Sequence, residues 1–463
     1  MSKRKKNKQP AEIPELGSLK QLNLNAGGID IGSAEIWVCV PEDRDTPAVR
    51  RFDTFTVDLH HAATWLMSCG VTTIAMESTG IYWIPLYEIL EANGIEVCLV
   101  NAQEAKNVPG RKTDILDCQW LQQLHTYGLL RRSFIPPNEI RKLRDLGDHR
   151  DNLVRHRATQ ILYMQKALHL MNLQLDNAIT DITGKTGMAI IRDIVGGQHD
   201  PKVLAQHRDG KCKNPLEVIE KSLEGSYSDE HIFQLKQALE LYDFFSAKIA
   251  ECEQQIEQSY QRFHAKRNPK ELAPSRKKDS NTKNHMNFDL RSELFRICGV
   301  DLTEIDGVHT IVAHTVLTHI GLDMSRWQTE KHFTSWLRLC PKNEKSAGKV
   351  LKRSTGKTRN PATLALKKAA QSLHHSKSYL GAYFRKMKAI HGPGKAATAA
   401  AHKIARIIYV MLKEQKEFVD LGADYFQQKN KEREIKKLSK RANALGFYLV
   451  TPNDYQRLVA TVS

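Results

Sequence analysis

Apolar positions along the chain follow two rhythms. From about residue 25 to 135, short apolar runs alternate with stretches of helical spacing. Ile29–Ile31, Ile36–Val40 and Arg51–Thr56 predict three strands joined by turns containing Gly or Asp. Leu59–Ser68 predicts a helix, Val71–Met76 a strand, Ile81–Ala92 a helix, Ile95–Val100 a strand and Asp114–Tyr127 a helix. Three strands followed by alternating helix and strand imply a mixed sheet, antiparallel at its start and parallel afterwards.

After Pro136-Pro137 the period lengthens. Leu143, Leu146, Leu153, Ile161, Leu162, Leu168 and Leu175 recur at helical spacing, with Arg and His between them. A glycine break at Gly196-Gly197 precedes a second long helical stretch over 229–264, with Ile232, Leu235, Leu239, Tyr242, Ile249, Cys252 and Ile256 near heptad positions. These stretches read as an antiparallel pair, either a hairpin inside one subunit or a coiled coil joining subunits. Residues 265–292 are a polar, basic linker, and a mostly helical region follows over 293–415. The last part, 416–463, opens as a charged helix and ends in Phe447-Tyr448-Leu449-Val450, to which the sequence assigns no role.

Composition narrows the class. In 463 residues, 41% hydrophobic content is enough for a sizeable core, and 7% aromatic content argues against an all-β sandwich. No run approaches the roughly 18 apolar residues of a membrane span. The eight cysteines are scattered, without a Cys-x-x-Cys pair or zinc spacing, as expected of reduced thiols in the cytoplasm. Sixty-nine Lys and Arg against 52 Asp and Glu give +17, a field that attracts nucleic acid. Residues 1–24 read as a basic, disordered arm.

Four acids stand out. Asp30 lies inside an apolar strand between glycines, Gly28-Ile29-Asp30-Ile31-Gly32, where a carboxylate is costly unless paired or metal-bound. Glu77 ends the strand Ile74-Ala75-Met76-Glu77, the end at which α/β sheets place ligands; helix-dipole chemistry is its plainer role. Asp114 and Asp117, three apart, share one face of the helix that begins there. Hard oxygen donors select magnesium or manganese, and two such ions can hold the attacking and leaving oxygens of a phosphodiester.

A second constellation lies past Pro341. Residues 342–360 hold Lys342, Lys345, Lys349, Lys352, Arg353, Lys357 and Arg359 against the single acid Glu344, with Ser346, Gly348 and Gly356 interleaved. This reads as a flexible basic loop able to follow a nucleic-acid backbone, and positive charge beside a hydroxyl suits a serine that attacks phosphorus. Further on, Lys403 and Arg406 are candidates to face phosphates. The turn Ile305-Asp306-Gly307-Val308-His309 reads as a tight turn into a packing helix.

Asp30, Glu77, Asp114 and Asp117, with the words around them (Met76-Glu77-Ser78-Thr79-Gly80-Ile81-Tyr82-Trp83 and Lys112-Thr113-Asp114), resemble the acids of the DEDD transposases of insertion sequences. Pro341-Lys-Asn-Glu-Lys-Ser346-Ala347-Gly348-Lys349-Val350 resembles that family's serine motif, with Ala347 in place of a glycine. The resemblance implies an RuvC-like, RNase H-fold domain over 25–135, a helical or coiled-coil region over 136–264, and a C-terminal transposase domain over 293–415. It also implies Ser346 as nucleophile, with Ser354 as the fallback. The implied partners are donor and target DNA, a structured guide RNA and further copies of the chain, as a dimer or tetramer. Two rival readings are a metal-dependent nuclease of the junction-resolving type, in which water attacks, and a non-catalytic nucleic-acid-binding protein.

Overall fold

The structure is a computed structural model that describes residues 20–78, 80–101, 114–275, 284–346, 349–355, 360–452 and 454–456, with the backbone alone at 114–116, 342–346, 349–350 and 352–354. The chain divides into two compact units, residues 1–135 and 136–463.

The first unit is built on one five-stranded sheet. Its strands are β1 (Ala26–Ile31), β2 (Glu35–Cys39), β3 (Val49–Asp53), β4 (Thr73–Glu77) and β5 (Glu96–Val100), in the order β3-β2-β1-β4-β5. β1, β2 and β3 pair antiparallel, and β1, β4 and β5 parallel. The mixed sheet is the one the apolar runs predict. The third strand ends earlier than expected, at Asp53. Thr54 and Phe55 instead lead into the helix α1 (Thr56–Ser68), with Phe55 extended as its cap.

Strand periodicity sorts the two faces. Ile29 and Ile31 of β1, Ile74 and Met76 of β4, and Val97 and Leu99 of β5 join one core with Leu59 and Leu66 of α1 and with Leu86 and Leu90 of α2 (Trp83–Ala92). On the opposite face Ala75 and Val100 pack against Leu121 of α3 (Asp114–Thr126). Gly28 also belongs to that face. A Cβ there would lie 2.1 Å from the Cys118 carbonyl oxygen and 2.5 Å from the Gln122 nitrogen, so only glycine lets the helix backbone seat directly on β1.

The second unit is helical apart from one ribbon. Two 33-residue helices, α4 (Asn138–Leu170) and α5 (Asp229–Gln261), pack antiparallel within one chain. The direction follows from pairs along their length: Cys252 Sγ with the Leu146 carbonyl, Arg150 with Glu253, and stacked His156 and Phe245 rings. The two helices form a hairpin within the chain. Leu162, placed by spacing on the apolar stripe, is 65% exposed, whereas Met164 and Leu168 are buried. Leu162 adjoins Ile161, and neighbouring residues of a helix point about 100° apart, so Ile161 packs on the core and Leu162 does not. At the far end, Leu175–Ala178, Lys185–Val195, Pro201–Ala205 and Leu216–Ser222 close over Met164, Leu168, Leu235 and Leu239 as a small separate core.

At the near end Arg150 is buried with Glu253. Its Nε donates to Oε1 at 2.7 Å and its Nη2 to the Asn284 carbonyl at 2.8 Å, while the Asn287 amide donates to Glu253 Oε2 at 2.9 Å. The polar stretch expected as a linker is thus pinned to the helical pair at its downstream side. Beyond it come α6 (Leu290–Cys298), α7 (Thr310–Ile320) and α8 (Glu330–Trp336). Gly307 takes φ +81°, and a Cβ there would lie 2.4 Å from the Ala369 carbonyl, so the turn before α7 is a packing turn. The ribbon β6 (Lys342–Ser346) and β7 (Lys349–Ser354) follows, then α9 (Pro361–Ser372), α10 (Tyr379–His391), α11 (Pro393–Glu414) and α12 (Gly422–Ala444). Small residues bring α11 close to its neighbours: Ala400, Ala401 and Ala405 are fully buried. No helix among the described residues is long and apolar enough to cross a membrane.

Candidate active site

β1 and β4 run parallel with Ile29 level with Met76. One residue further, that register sets Asp30 beside Glu77, the last residue of β4. Asp30 follows Gly28 by two and Glu77 follows Ala75 by two, so both carboxylates lie on the α3 face of the sheet. Both residues are half-buried.

The direction of α3 follows from its far end. The Leu22 and Asn23 amides, just before β1, donate to the Thr126 carbonyl at 2.8 and 3.0 Å. His125 Nε2 and Thr73 Oγ1, at the start of β4, are hydrogen-bonded at 2.8 Å. The C-terminus of α3 therefore sits at the amino ends of the strands. Its N-terminus, with Asp114 and Asp117, points to the carboxyl ends that carry Asp30 and Glu77. This is the place where α/β sheets bind ligands. Asp117 is half-buried, one helical turn before the buried Leu121; the Asp114 side chain lies outside the described residues.

Two thiols line the floor beneath the acids. Cys39 pairs with Gly28 across β1 and β2, and Cys118 adjoins Asp117; both are buried. Hydrogen bonding to Cys39, burial and the nearby Asp30 carboxylate together push the Cys118 thiol far above its ordinary range. The donors at the strand ends are carboxylate oxygens, which fit a hard divalent cation of the magnesium class. Among the described residues no three His, Cys, Asp or Glu side chains stand close enough to hold an ion. Asp30, Glu77 and Asp117 alone thus do not close a ligand set, and Asp114 is the sequence's candidate for the remaining donor.

Sequence reasoning overlooked a small cavity of about 220 Å³ past the strand ends, lined by Ser33, Thr54, Ile81 and Tyr82 among others. Ile81 is 72% and Tyr82 49% exposed. The available signal was two large apolar residues, Ile81 and Tyr82, directly after the Ser78-Thr79-Gly80 sequence.

The basic segment is not the loop it resembles in sequence. Lys342–Ser346 and Lys349–Ser354 form an antiparallel ribbon in which Ser346 pairs with Lys349 and Lys342 with Ser354. Ser346 stands at the turn end and Ser354 at the base, a separation of several residues along the ribbon. The register shifts between Glu344 and Lys345, so that Leu351 is an unmatched, bulged residue, 70% exposed. Lys345, Lys352 and Arg353 lie on the same two strands, with their side chains outside the described residues, as are Lys357 and Arg359 entirely. Lys403 and Arg406, the candidates to face phosphates, each have neighbours within the protein. Lys403 Nζ lies over the rings of Tyr379 and Tyr383 at 5.2 and 4.5 Å, and Arg406 donates to Glu330 Oε1 at 3.0 Å.

Comparison with known families gives two matches in chain order. A DEDD transposase family model of the IS110 type, described as "Transposase", matches residues 27–172. A second, described as "Transposase IS116/IS110/IS902 family", matches residues 301–385. No curated protein matches the chain. The first match contains the strand-borne acids and α3, the second contains the basic ribbon, and together they make the chain a member of the IS110-type DEDD transposases.

Proposed function

We propose that this transposase is a site-specific recombinase that cuts and rejoins DNA with a serine nucleophile and a metal-binding acid cluster. The observation that carries the reading is the parallel register that levels Asp30 with Glu77 on the face, and at the end, to which α3 brings Asp114 and Asp117. A five-stranded sheet with three antiparallel strands followed by two parallel ones supports an RNase H-like, RuvC-like domain over residues 25–135. The helical 136–264 region, the 265–292 linker, the 293–415 transposase domain and the 416–463 extension complete the proposed organisation.

Asp30, Glu77, Asp114 and Asp117 would hold magnesium or manganese, which when bound supplies charge stabilisation at the phosphodiester oxygens. Ser346, at the turn of the basic ribbon, provides Oγ. Its bond to phosphorus forms as the bond from phosphorus to one sugar oxygen breaks; the serine proton leaves to solvent or a carboxylate, and the released oxygen takes up a proton. The phosphoserine ester keeps the bond energy, so a sugar hydroxyl from another strand reverses the step and releases serine without ATP. Lys342, Lys345, Lys349, Lys352, Arg353, Lys357 and Arg359 would neutralise the phosphates being joined. The chemistry requires the acids and Ser346 to meet on the substrate, in one chain or between chains of a dimer or tetramer. Guidance by a structured RNA fits a basic protein that reads backbone shape and leaves sequence choice to base pairing.

The test is incubation of the full chain with donor DNA, target DNA, co-expressed flanking RNA and magnesium. A covalent protein–DNA adduct maps to Ser346, and Ser346→Ala yields neither adduct nor joined product. Cutting and rejoining by Ser346→Ala at the normal rate removes the serine from the reaction and favours attack by water.

A further inference from the structure

The C-terminal helix α12 and the neighbouring α10 and α11 carry a cluster of cations that the proposed chemistry leaves unused. Phe426 of α12 docks on α10, edge-on to Tyr379 at 5.2 Å and to Tyr383 at 6.1 Å, and Lys386 of α10 bonds to Asn430. Residues 426, 430 and 434 thus define the docked side of α12. Arg433, Lys436 and Lys440 lie about a quarter-turn round the helix from it, at spacings of three and four that keep them in one row. All three are exposed and have no ion-pair partner among the described residues, whereas Lys429 and Lys437 pair locally with Glu432 and Glu434.

A row of exposed lysines and arginines is often only a solvated face. The root of this one is different. Lys403, half-buried over the Tyr379 and Tyr383 rings, has no carboxylate within ion-pair distance among the described residues. Burial, and then the charges of Arg406 and Arg433, hold its pKa below the usual lysine value. Three cations from two helices are held together by the fold, against their mutual repulsion, beside a cavity of about 500 Å³ lined by Tyr379, Lys403 and Arg406 among others. Among the described residues, Arg406 is the one of the three with an ion-pair partner, Glu330.

We infer that Lys403, Arg433, Lys436 and Lys440 form a phosphodiester-binding track on α11 and α12, made by elements other than the acid-bearing sheet and the serine ribbon. Seven residues from Arg433 to Lys440 rise about 10 Å, the length over which one strand of a duplex presents about three phosphates. The polyanion is nucleic acid, which the family membership makes the natural substrate; DNA and RNA share the recognised group.

The experiment compares the full chain with an Arg433→Ala/Lys436→Ala/Lys440→Ala triple variant, whose positions are exposed. Fluorescence anisotropy measures binding to a 25-base-pair duplex DNA and, separately, to a structured RNA, in EDTA, between 50 and 200 mM salt. Without divalent metal and strand transfer, the readout is independent of the Ser346 chemistry. Loss of three contacts lowers the log–log salt slope by about 2.7 for duplex, so the parent loses about 40-fold more affinity across that range than the variant does. An Arg433→Lys/Lys436→Arg/Lys440→Arg variant keeps the parental slope. A drop in either arm supports the track and identifies the nucleic acid that occupies it; unchanged slopes in both arms overturn it.

Discussion

Replacing Gly28 by alanine tests the seat of α3, on which the geometry of the acids depends. The new Cβ would stand 2.1 Å from the Cys118 carbonyl oxygen, whereas ordinary contact begins at 3.4 Å, so about 1.3 Å (3.4 − 2.1) must be made up. The obstacle is helix backbone on one side and the central strand β1 on the other, so no flexible side chain can absorb the strain. Overpacking of this kind costs about 1–3 kcal/mol, and a backbone clash places Gly28→Ala near the top of that range. For a unit of this size the melting temperature should fall by about 10 °C. The helix also carries Asp114 and Asp117, so relief of the clash moves them relative to Asp30 and Glu77. A misplacement of about 1 Å can cost about 100-fold in rate. Gly210→Ala, which meets nothing within 4 Å, serves as the control. Thermal melts and the strand-joining assay read the two effects separately. Parental melting and parental activity in Gly28→Ala would refute the seating of α3; lost stability with full activity would refute the acids' role and leave the packing intact.

Two further outcomes follow from buried groups in the helical unit. His314 Nδ1 and the Tyr260 hydroxyl are hydrogen-bonded at 2.7 Å, and burial foremost, with Arg150 and His319, brings the His314 pKa down to about 3. Between pH 6.5 and 3 the unfolded chain binds a proton there that the native state refuses, so stability falls as pH falls, by up to about 1.4 kcal/mol per pH unit. Denaturant titrations at pH 6.5 and 5 should show about 2 kcal/mol less of this loss in His314→Leu than in the parent; equal losses would contradict the assignment. Truncating Arg150 to alanine strands the buried Glu253 carboxylate and should cost about 3–5 kcal/mol, whereas an Arg150→Met/Glu253→Leu pair recovers most of it in the same titration.

The sheet was legible because its strands are short apolar runs whose alternate residues enter two different cores. Asp30 and Glu77 could be picked out because each interrupts such a run. Their pairing could not, since register depends on which residues face each other across β1 and β4, and that information is non-local. The basic ribbon escaped notice for a related reason. Lys342–Ser354 offers only Ala347, Val350 and Leu351 as apolar residues, and main-chain hydrogen bonds hold it without the period-two pattern of a half-buried strand. Leu162 was misplaced because it adjoins Ile161, and neighbouring residues of a helix point about 100° apart, so only Ile161 reaches the core. The sequence offers Lys403 as a candidate to face phosphates, and only the fold brings Tyr379, Tyr383 and Arg433 around it.

The antiparallel course of α4 and α5 has a mechanical corollary. Each helix is about 50 Å long, and the chain departs from the end at which it arrives. The small core closing over Leu168 and Leu239 is therefore carried at the tip of a stalk whose two feet, near Asn138 and Gln261, stand side by side. Excising matched segments from both helices would draw the tip inward by about 1.5 Å per residue removed while leaving the feet adjacent. Reach is thereby uncoupled from attachment, and the stalk's length can be varied by deletion without rebuilding what it stands on.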